Sequence, residues 1–284
     1  MKRSSSRRLS TPKRLRGAAS VDVDRDGTPG KRARSEPPRL SAAVESLIAE
    51  LEGKPPAGHV KAFKISDAVR HIASADGGRL QCVISRCGAP PFYHRDQEGP
   101  TGDTFRSLAR IIVGQQLAGA AVKAIWAKFL AALDGDVTPA AVLAQSFEML
   151  RAAAGLSGAK CRAIFDLAAH YEKGSLSDSI LLDPELSEAD LSSKLLAVKG
   201  IGPWSAHMYQ MFSLHLPDVF PTGDLGVRNG MAKAFGLRGS AKSGGLDEKK
   251  DMEKLLGAME PYRPYRAVAS WYMWRVCETP SFME

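Results

Sequence analysis

From residue 41 onward the sequence predicts an all-α fold, and three observations carry that prediction. Apolar residues recur at three- and four-residue spacing, no sustained period-two alternation appears, and Ser, Asp, Pro and Gly fall where helices start and stop. Phe105, Leu108, Ile111 and Ile112 mark one amphipathic helix; Ile125, Trp126, Phe129 and Leu130 mark another. Ser187 with Asp190 forms a weakened capping box ahead of Leu191, Leu195, Leu196 and Val198. Pro203 suits a first helical position, and its helix is expected to stop before Pro217. Asp224 is placed to cap a helix running to Gly236. Asp247 is placed to cap another ending before Pro261, and Pro264 to open the last. The stretch RGSAKSGGLDEKK (238–250) reads as an exposed loop.

The first 40 residues stand apart. They are rich in Ser, Arg, Lys, Pro and Gly, and cannot bury enough apolar surface to offset chain entropy, so residues 1–40 are expected to be a disordered basic tail and 41–284 the folded domain. The tail holds 12 Lys/Arg against 4 Asp/Glu, while the remaining 244 residues hold 27 of each. The net charge of +8 therefore lies in the tail, and any nucleic-acid binding by the domain must come from local placement rather than from net charge. PKRLR (12–16) and GKRAR (30–34) read as nuclear import signals. The acid-free, Arg/Ser-rich first 21 residues also fit a plastid or mitochondrial transit peptide. No apolar run approaches the roughly 20 residues that span a bilayer. Cys82, Cys87, Cys161 and Cys277 include no CxxC pair, which argues against a zinc site or a four-cysteine iron–sulfur cluster and for reduced thiols in an intracellular protein.

One short stretch departs from plain helix connection: LLAVKGIGPWSAHM, 195–208. Gly200-Ile201-Gly202 breaks one amphipathic helix, and Pro203 restarts the next at once. Amides in the first turn of the second helix lack intrahelical partners and carry partial positive charge, a natural seat for phosphate. Such a turn grips a nucleic-acid backbone without reading sequence, with Lys199 adding a charge beside it.

VKGIGPWSAHM resembles the hairpin of the helix-hairpin-helix DNA glycosylases. FPTGDLGVRNG (220–230) is similar to their catalytic-aspartate segment, with Asp224 lying 22 residues after Gly202. ARIIVGQQLAGAAVKAI (109–125), GLSGAKCRAIFDLAAHY (155–171) and RPYRAVASWYMWR (263–275) resemble blocks of the 3-methyladenine DNA glycosylase II branch. The resemblance implies two helical subdomains with a cleft between them. It implies a monomer acting on double-stranded DNA that contains damaged bases, and no membrane. Relatives of the bacterial type carry an additional N-terminal β domain, for which nothing before residue 41 has the composition.

The resemblance also assigns residues. Lyase members carry a lysine two residues after the second hairpin glycine; here that position is Trp204, which implies a monofunctional enzyme that uses water. Asp224 is implied as the catalytic carboxylate, stabilising positive charge that builds on the sugar. The base must be flipped out to reach it. Trp204 and Trp274 are implied as pocket aromatics, with Trp271, Tyr272 and Met208 as neighbours. An indole face attracts a cationic alkylated purine by roughly 0.5–2 kcal/mol. Lys199, Gly200, Ile201 and Gly202 form the backbone-gripping hairpin, whose carbonyls in relatives hold a structural monovalent cation. No cofactor and no catalytic metal are implied. Gln116 or Leu117 is the wedge that fills the gap left by the flipped base, and Gln115 fits a buried structural role as well. Ala118 stands where relatives often place a capping Ser. Arg263 and Arg266 fit phosphate contacts or capping charges.

The reading is thus a monofunctional glycosylase for alkylated purines such as 3-methyladenine and 7-methylguanine. Two alternatives stay open: a catalytically inactive helix-hairpin-helix DNA-binding protein, and a glycosylase for deaminated or ethenoadenine lesions.

Overall fold

Helix starts fall where short polar side chains stand. Ser41, Asp103, Thr138, Ser146, Ser157, Ser177, Ser187 and Asp224 each accept an amide from the turn they open. Each such cap is worth about 1 kcal/mol. The computed structural model describes residues 38–54, 56, 62–91, 103–117, 119–241 and 245–283. Residues 1–37 of the basic tail with both clusters, Ala118 with its cap, and part of the loop after Arg238 lie outside them.

The described chain opens with three helices, α1 (Ala42–Glu52), α2 (Ile65–Ser74) and α3 (Gln81–Cys87). Eight follow: α4 (Thr104–Gly114), α5 (Gly119–Ala132), α6 (Pro139–Leu143), α7 (Phe147–Ala154), α8 (Gly158–Glu172), α9 (Asp178–Leu181), α10 (Glu188–Leu196) and α11 (Pro203–Phe212). The chain ends with α12 (Leu225–Phe235), α13 (Met252–Met259) and α14 (Arg266–Glu278). Among the described residues the fold is all-α, and no helix is long and apolar enough to cross a membrane.

Two hydrophobic cores divide this chain. Phe105 to Val219 supply the first, joined by Ala267; Val44 to Ile84 and Phe220 to Val276 supply the second. Among the described residues, the middle segment thus builds one helical region and the segments on either side of it build the other. Phe105, Leu108 and Ile112 are buried on α4, and Trp126 and Phe129 on α5, as their spacing predicts. Ile111, Ile125 and Leu130 pack at the edge of the same core.

Two predicted starts are displaced. Asp247 caps a turn, accepting from the amides of Lys249 and Lys250, and α13 begins only at Met252. The buried Asp251 carboxylate is committed to the loop, holding the Ser240 amide and hydroxyl, the Asp247 amide and Lys254. The Lys254 ammonium and these donors keep that carboxyl well below the usual range. Likewise α14 opens at Arg266 rather than Pro264. Tyr265 first closes a turn on the Tyr262 carbonyl (2.7 Å), and the Arg266 amide turns to Asp218 (3.3 Å).

Asp218 gathers both arginines that the sequence left between phosphate contact and capping. Arg266 is 9% exposed and binds it through Nε (2.7 Å) and Nη2 (3.0 Å), while Arg263 Nη1 adds a third contact at 2.7 Å. Replacing Asp218 with Ala strands a buried guanidinium, and urea unfolding should record a loss of about 3–5 kcal/mol. A loss under about 1 kcal/mol, the range of exposed pairs, would contradict this burial.

Candidate active site

The hairpin between α10 and α11 uses its two glycines differently. Gly200 has a φ of +92°, and a Cβ there would stand 2.5 Å from the Cβ of Ala163 on α8. It is required both by conformation and by close approach. Gly202 has an ordinary φ of −98° with open space where a Cβ would stand, and no side chain caps α11. Ile201 is buried between them. Pro203 has no amide hydrogen, so the amides of Trp204 and Ser205 are the ones in the first turn of α11 without a carbonyl one turn back. Lys199 is well exposed; its amide donates to Asp166 (2.8 Å) and its ammonium stands 3.6 Å from the same carboxylate.

Asp224 lies where the two helical regions meet. Its Oδ1 caps α12 through the Val227 amide (2.9 Å) and also accepts from Trp274 Nε1 at 2.8 Å. Its Oδ2 accepts from Trp204 Nε1, again at 2.8 Å. Trp204 belongs to the first region through α11. Trp274, on α14, packs against both cores. One carboxylate is therefore held by three donors, from three elements, over sequence separations of 3, 20 and 50 residues.

The side chains around it form an aromatic wall. Trp204 is 36% exposed, and Phe212 is 40% exposed with its ring stacked on Trp274 at 5.8 Å and 23°. Leu225, next to Asp224, is also exposed. His207, one turn after Trp204 on α11, is half-buried, and burial pushes its imidazole below its ordinary value while Glu248 opposes the shift. Glu248 lies against Gly223, its carboxylate 3.2 Å from where a Cβ would stand.

The predicted pocket residues separate here. Trp204 and Trp274 converge on Asp224. Met208 is 7% exposed and packed in the first core. Trp271 and Tyr272 pack in the second core, edge to face at 5.1 Å, with Arg275 over the Trp271 ring. In the loop after α4, Gln116 adopts a left-handed φ of 56° and Leu117 is 36% exposed. Gln115 reaches across to the hairpin, donating to the Gly200 carbonyl (2.7 Å) and Ser205 Oγ (3.0 Å). Gly200, among the carbonyls considered for a monovalent cation, thus already has a protein donor. Among the described residues no group of three or more His, Cys, Asp or Glu side chains is arranged to hold a metal ion.

Sequence reasoning missed Phe212, Gly226 and Gly230. A Cβ on Gly226 would stand 2.8 Å from Trp274 Cδ1, so this glycine admits the indole to Asp224. Gly230, one turn on, lets α12 lie against the backbone of α14 at Met273. The four-residue glycine spacing in DLGVRNG was the available signal. Phe212 had none beyond its place as an apolar residue at a helix end.

Known proteins resemble this chain over about three-quarters of its length. A family described as HhH-GPD superfamily base excision DNA repair protein matches residues 109–258, which contain the hairpin and Asp224. The alkylbase DNA glycosidase-like protein mag2 of Schizosaccharomyces pombe is 28% identical over 213 residues, covering 74% of this chain and 92% of its own length. The 3-methyladenine DNA glycosylase Mag1 of the same organism, solved in complex with abasic DNA, superposes with a TM-score of 0.62 at 26% identity, over 75% of this chain and 97% of that one. The DNA-3-methyladenine glycosidase of Bacillus halodurans superposes with a TM-score of 0.54 at 30% identity, over 72% and 92%. The chain therefore belongs to the HhH-GPD superfamily of base excision DNA repair proteins, in its 3-methyladenine DNA glycosylase branch.

Proposed function

We propose that this protein is a monofunctional DNA glycosylase: it flips an alkylated purine from duplex DNA and hydrolyses its N-glycosidic bond with water. The observation that carries the proposal is the Asp224 carboxylate, held by Trp204, Trp274 and Val227 between the two helical regions. Cleavage of the glycosidic bond leaves positive charge on the deoxyribose, and a preoriented carboxylate stabilises that charge without reorganising at the moment of reaction. The relatives' names, alkylbase DNA glycosidase-like and 3-methyladenine DNA glycosylase, point to the same chemistry.

The side chains in reach support water as the nucleophile. The position after the hairpin where an amine would attack is Trp204, whose indole N–H is committed to Asp224. Lys199 stands beside Asp166 of α8. The aromatic side chains of Trp204, Phe212 and Trp274 support a cationic purine as substrate. Indole and phenyl faces attract a purine made cationic at N3 or N7, by about 0.5–2 kcal/mol, and alkylation also makes that base a better leaving group. DNA is held by the hairpin amides, which contact phosphate and leave sequence unread.

The test is base release from duplex DNA methylated with dimethyl sulfate. The expected result is free 3-methyladenine or 7-methylguanine, with the strand intact until alkali is added. Strand nicking without alkali, accompanied by a borohydride-trapped covalent complex, would overturn the monofunctional reading. DNA binding without release of any base would favour a binding protein instead.

A further inference from the structure

We infer that Gln115 is a positioning residue: its side-chain amide locks the exposed Gln116–Leu117 tip to the hairpin, so that DNA held by the hairpin meets the tip in one register. The inference rests on the proposed action on a flipped base, and on four features around the end of α4.

First, the tip is strained and ends in an exposed leucine. Gln116 holds a left-handed φ of 56°, which a residue with a Cβ rarely adopts, and the Leu117 amide folds back onto the Gly114 carbonyl (3.2 Å). A non-glycine residue stays in that region only where its surroundings over-determine it. Yet Gln116 and Leu117 are exposed, so packing of their own side chains does not supply the constraint.

Second, Gln115 does supply one. Its Nε2 donates to the Gly200 carbonyl at 2.7 Å and to Ser205 Oγ at 3.0 Å. These two acceptors flank the phosphate-gripping turn, one on the hairpin and one in the first turn of α11. A single amide thus reads both sides of the turn, and a shift of either side breaks one bond.

Third, α8 fixes the two partners to each other. Lys160 Nζ donates to the Val113 carbonyl at the end of α4 (2.8 Å), and burial lowers that ammonium's pKa. One turn along α8, Ala163 seats Gly200 so closely that a Cβ would stand 2.5 Å away. The end of α4, α8 and the hairpin form a closed triangle, and Gln115 is its third side.

Fourth, the geometry separates this task from ordinary stabilisation. Gln115 makes two hydrogen bonds between neutral groups at a partly exposed site, so it contributes little to a fold with two cores. What it controls is where an exposed leucine sits relative to the amides that hold phosphate. A misplaced tip leaves backbone binding intact and slows entry of the tip into the stack.

The experiment compares Gln115→Leu, which keeps the shape and removes the donors, with Gln115→Asn, whose amide is one methylene too short. Single-turnover base release is measured on a methylated purine fully paired in duplex and on the same lesion in a one-nucleotide bulge, already unstacked. Both variants are expected to slow release from the paired duplex by about tenfold relative to the bulge, the worth of one or two hydrogen bonds. The Kd for undamaged duplex should stay near wild type, and the Tm should fall by no more than a few degrees. Fluorescence of 2-aminopurine placed in the duplex gives a second readout that needs no catalysis, and is expected to rise on binding wild type and less on binding either variant. Equal slowing on both substrates, or none, would overturn the inference. If wild type releases no base from either substrate, the glycosylase reading falls, and the inference then stands or falls on whether Gln115 controls the 2-aminopurine signal.

Discussion

Asp224→Asn should lower the single-turnover rate of base release by at least ~10²–10³-fold, the size found when a preorganised electrostatic group at a reacting centre is removed. Affinity for undamaged duplex should change little, because the hairpin amides proposed to hold phosphate are untouched. The substitution is severe despite its size. Both Asp224 oxygens accept from indole N–H groups, Oδ1 from Trp274 and Oδ2 from Trp204. An asparagine presents an NH2 to one of them, so donor faces donor and one indole must turn away. The variant therefore loses the negative charge and also the acceptor that holds one indole in place. Trp274→Phe separates these effects: it keeps the charge and an aromatic ring and removes one donor. It should be the milder of the two when base release is measured side by side. Equal activity of wild type and Asp224→Asn would remove Asp224 from the mechanism.

A second large effect, on stability, is expected from one methyl group. A Cβ on Gly230 would stand 1.9 Å from the Met273 carbonyl oxygen and within 3 Å of that residue's carbonyl and α carbons. These are backbone atoms in the middle of α14, so no side chain can swing aside, and α12 and α14 must separate. Overpacking of this kind costs typically 1–3 kcal/mol and occasionally more. We expect Gly230→Ala to reach or exceed about 3 kcal/mol, a fall in Tm of roughly 6–12 °C for a domain of this size. Because Trp274 follows Met273 directly, the same separation should draw the indole from Asp224 and lower base release even where the fold survives. Gly236→Ala is the comparison. That glycine ends α12 with a φ of +64° and open space around it, so it should cost only about 1–2 kcal/mol of backbone strain. Thermal unfolding of the two variants checks the ordering; a Gly230→Ala protein as stable as Gly236→Ala would contradict the helix contact.

The local features were legible because they depend on neighbours in the chain. Ser187 caps α10, Pro203 opens α11, Asp224 caps α12 and Gly236 ends it, as their spacing implies. Each is a residue within one helical turn of the group that it satisfies. The same reasoning slipped at Asp247 and Pro264, where a competing partner lay elsewhere. Asp251 ties down the loop before α13, and Asp218, 48 residues before Arg266, claims its guanidinium. Nothing in the periodicity of α14 distinguishes a phosphate-binding arginine from a buried one.

The sequence by itself determined that the chain is helical, where most helices begin, that a two-glycine turn separates α10 from α11, and that a carboxylate stands at the start of α12. Only the tertiary structure decided what surrounds that carboxylate. Trp204 and Trp274 are separated by 70 positions in the chain, yet their N–H groups meet at one side chain because the middle and the ends of the chain pack as two cores. Trp271, three residues from Trp274 and equally aromatic, falls into the second core. The difference is made by Gly226 and Gly230, whose missing side chains let α14 come close enough for one indole to reach Asp224. Capping is satisfied within a turn of chain and can be read from spacing; a donor brought from another helix depends on the distance between axes, which packing alone sets.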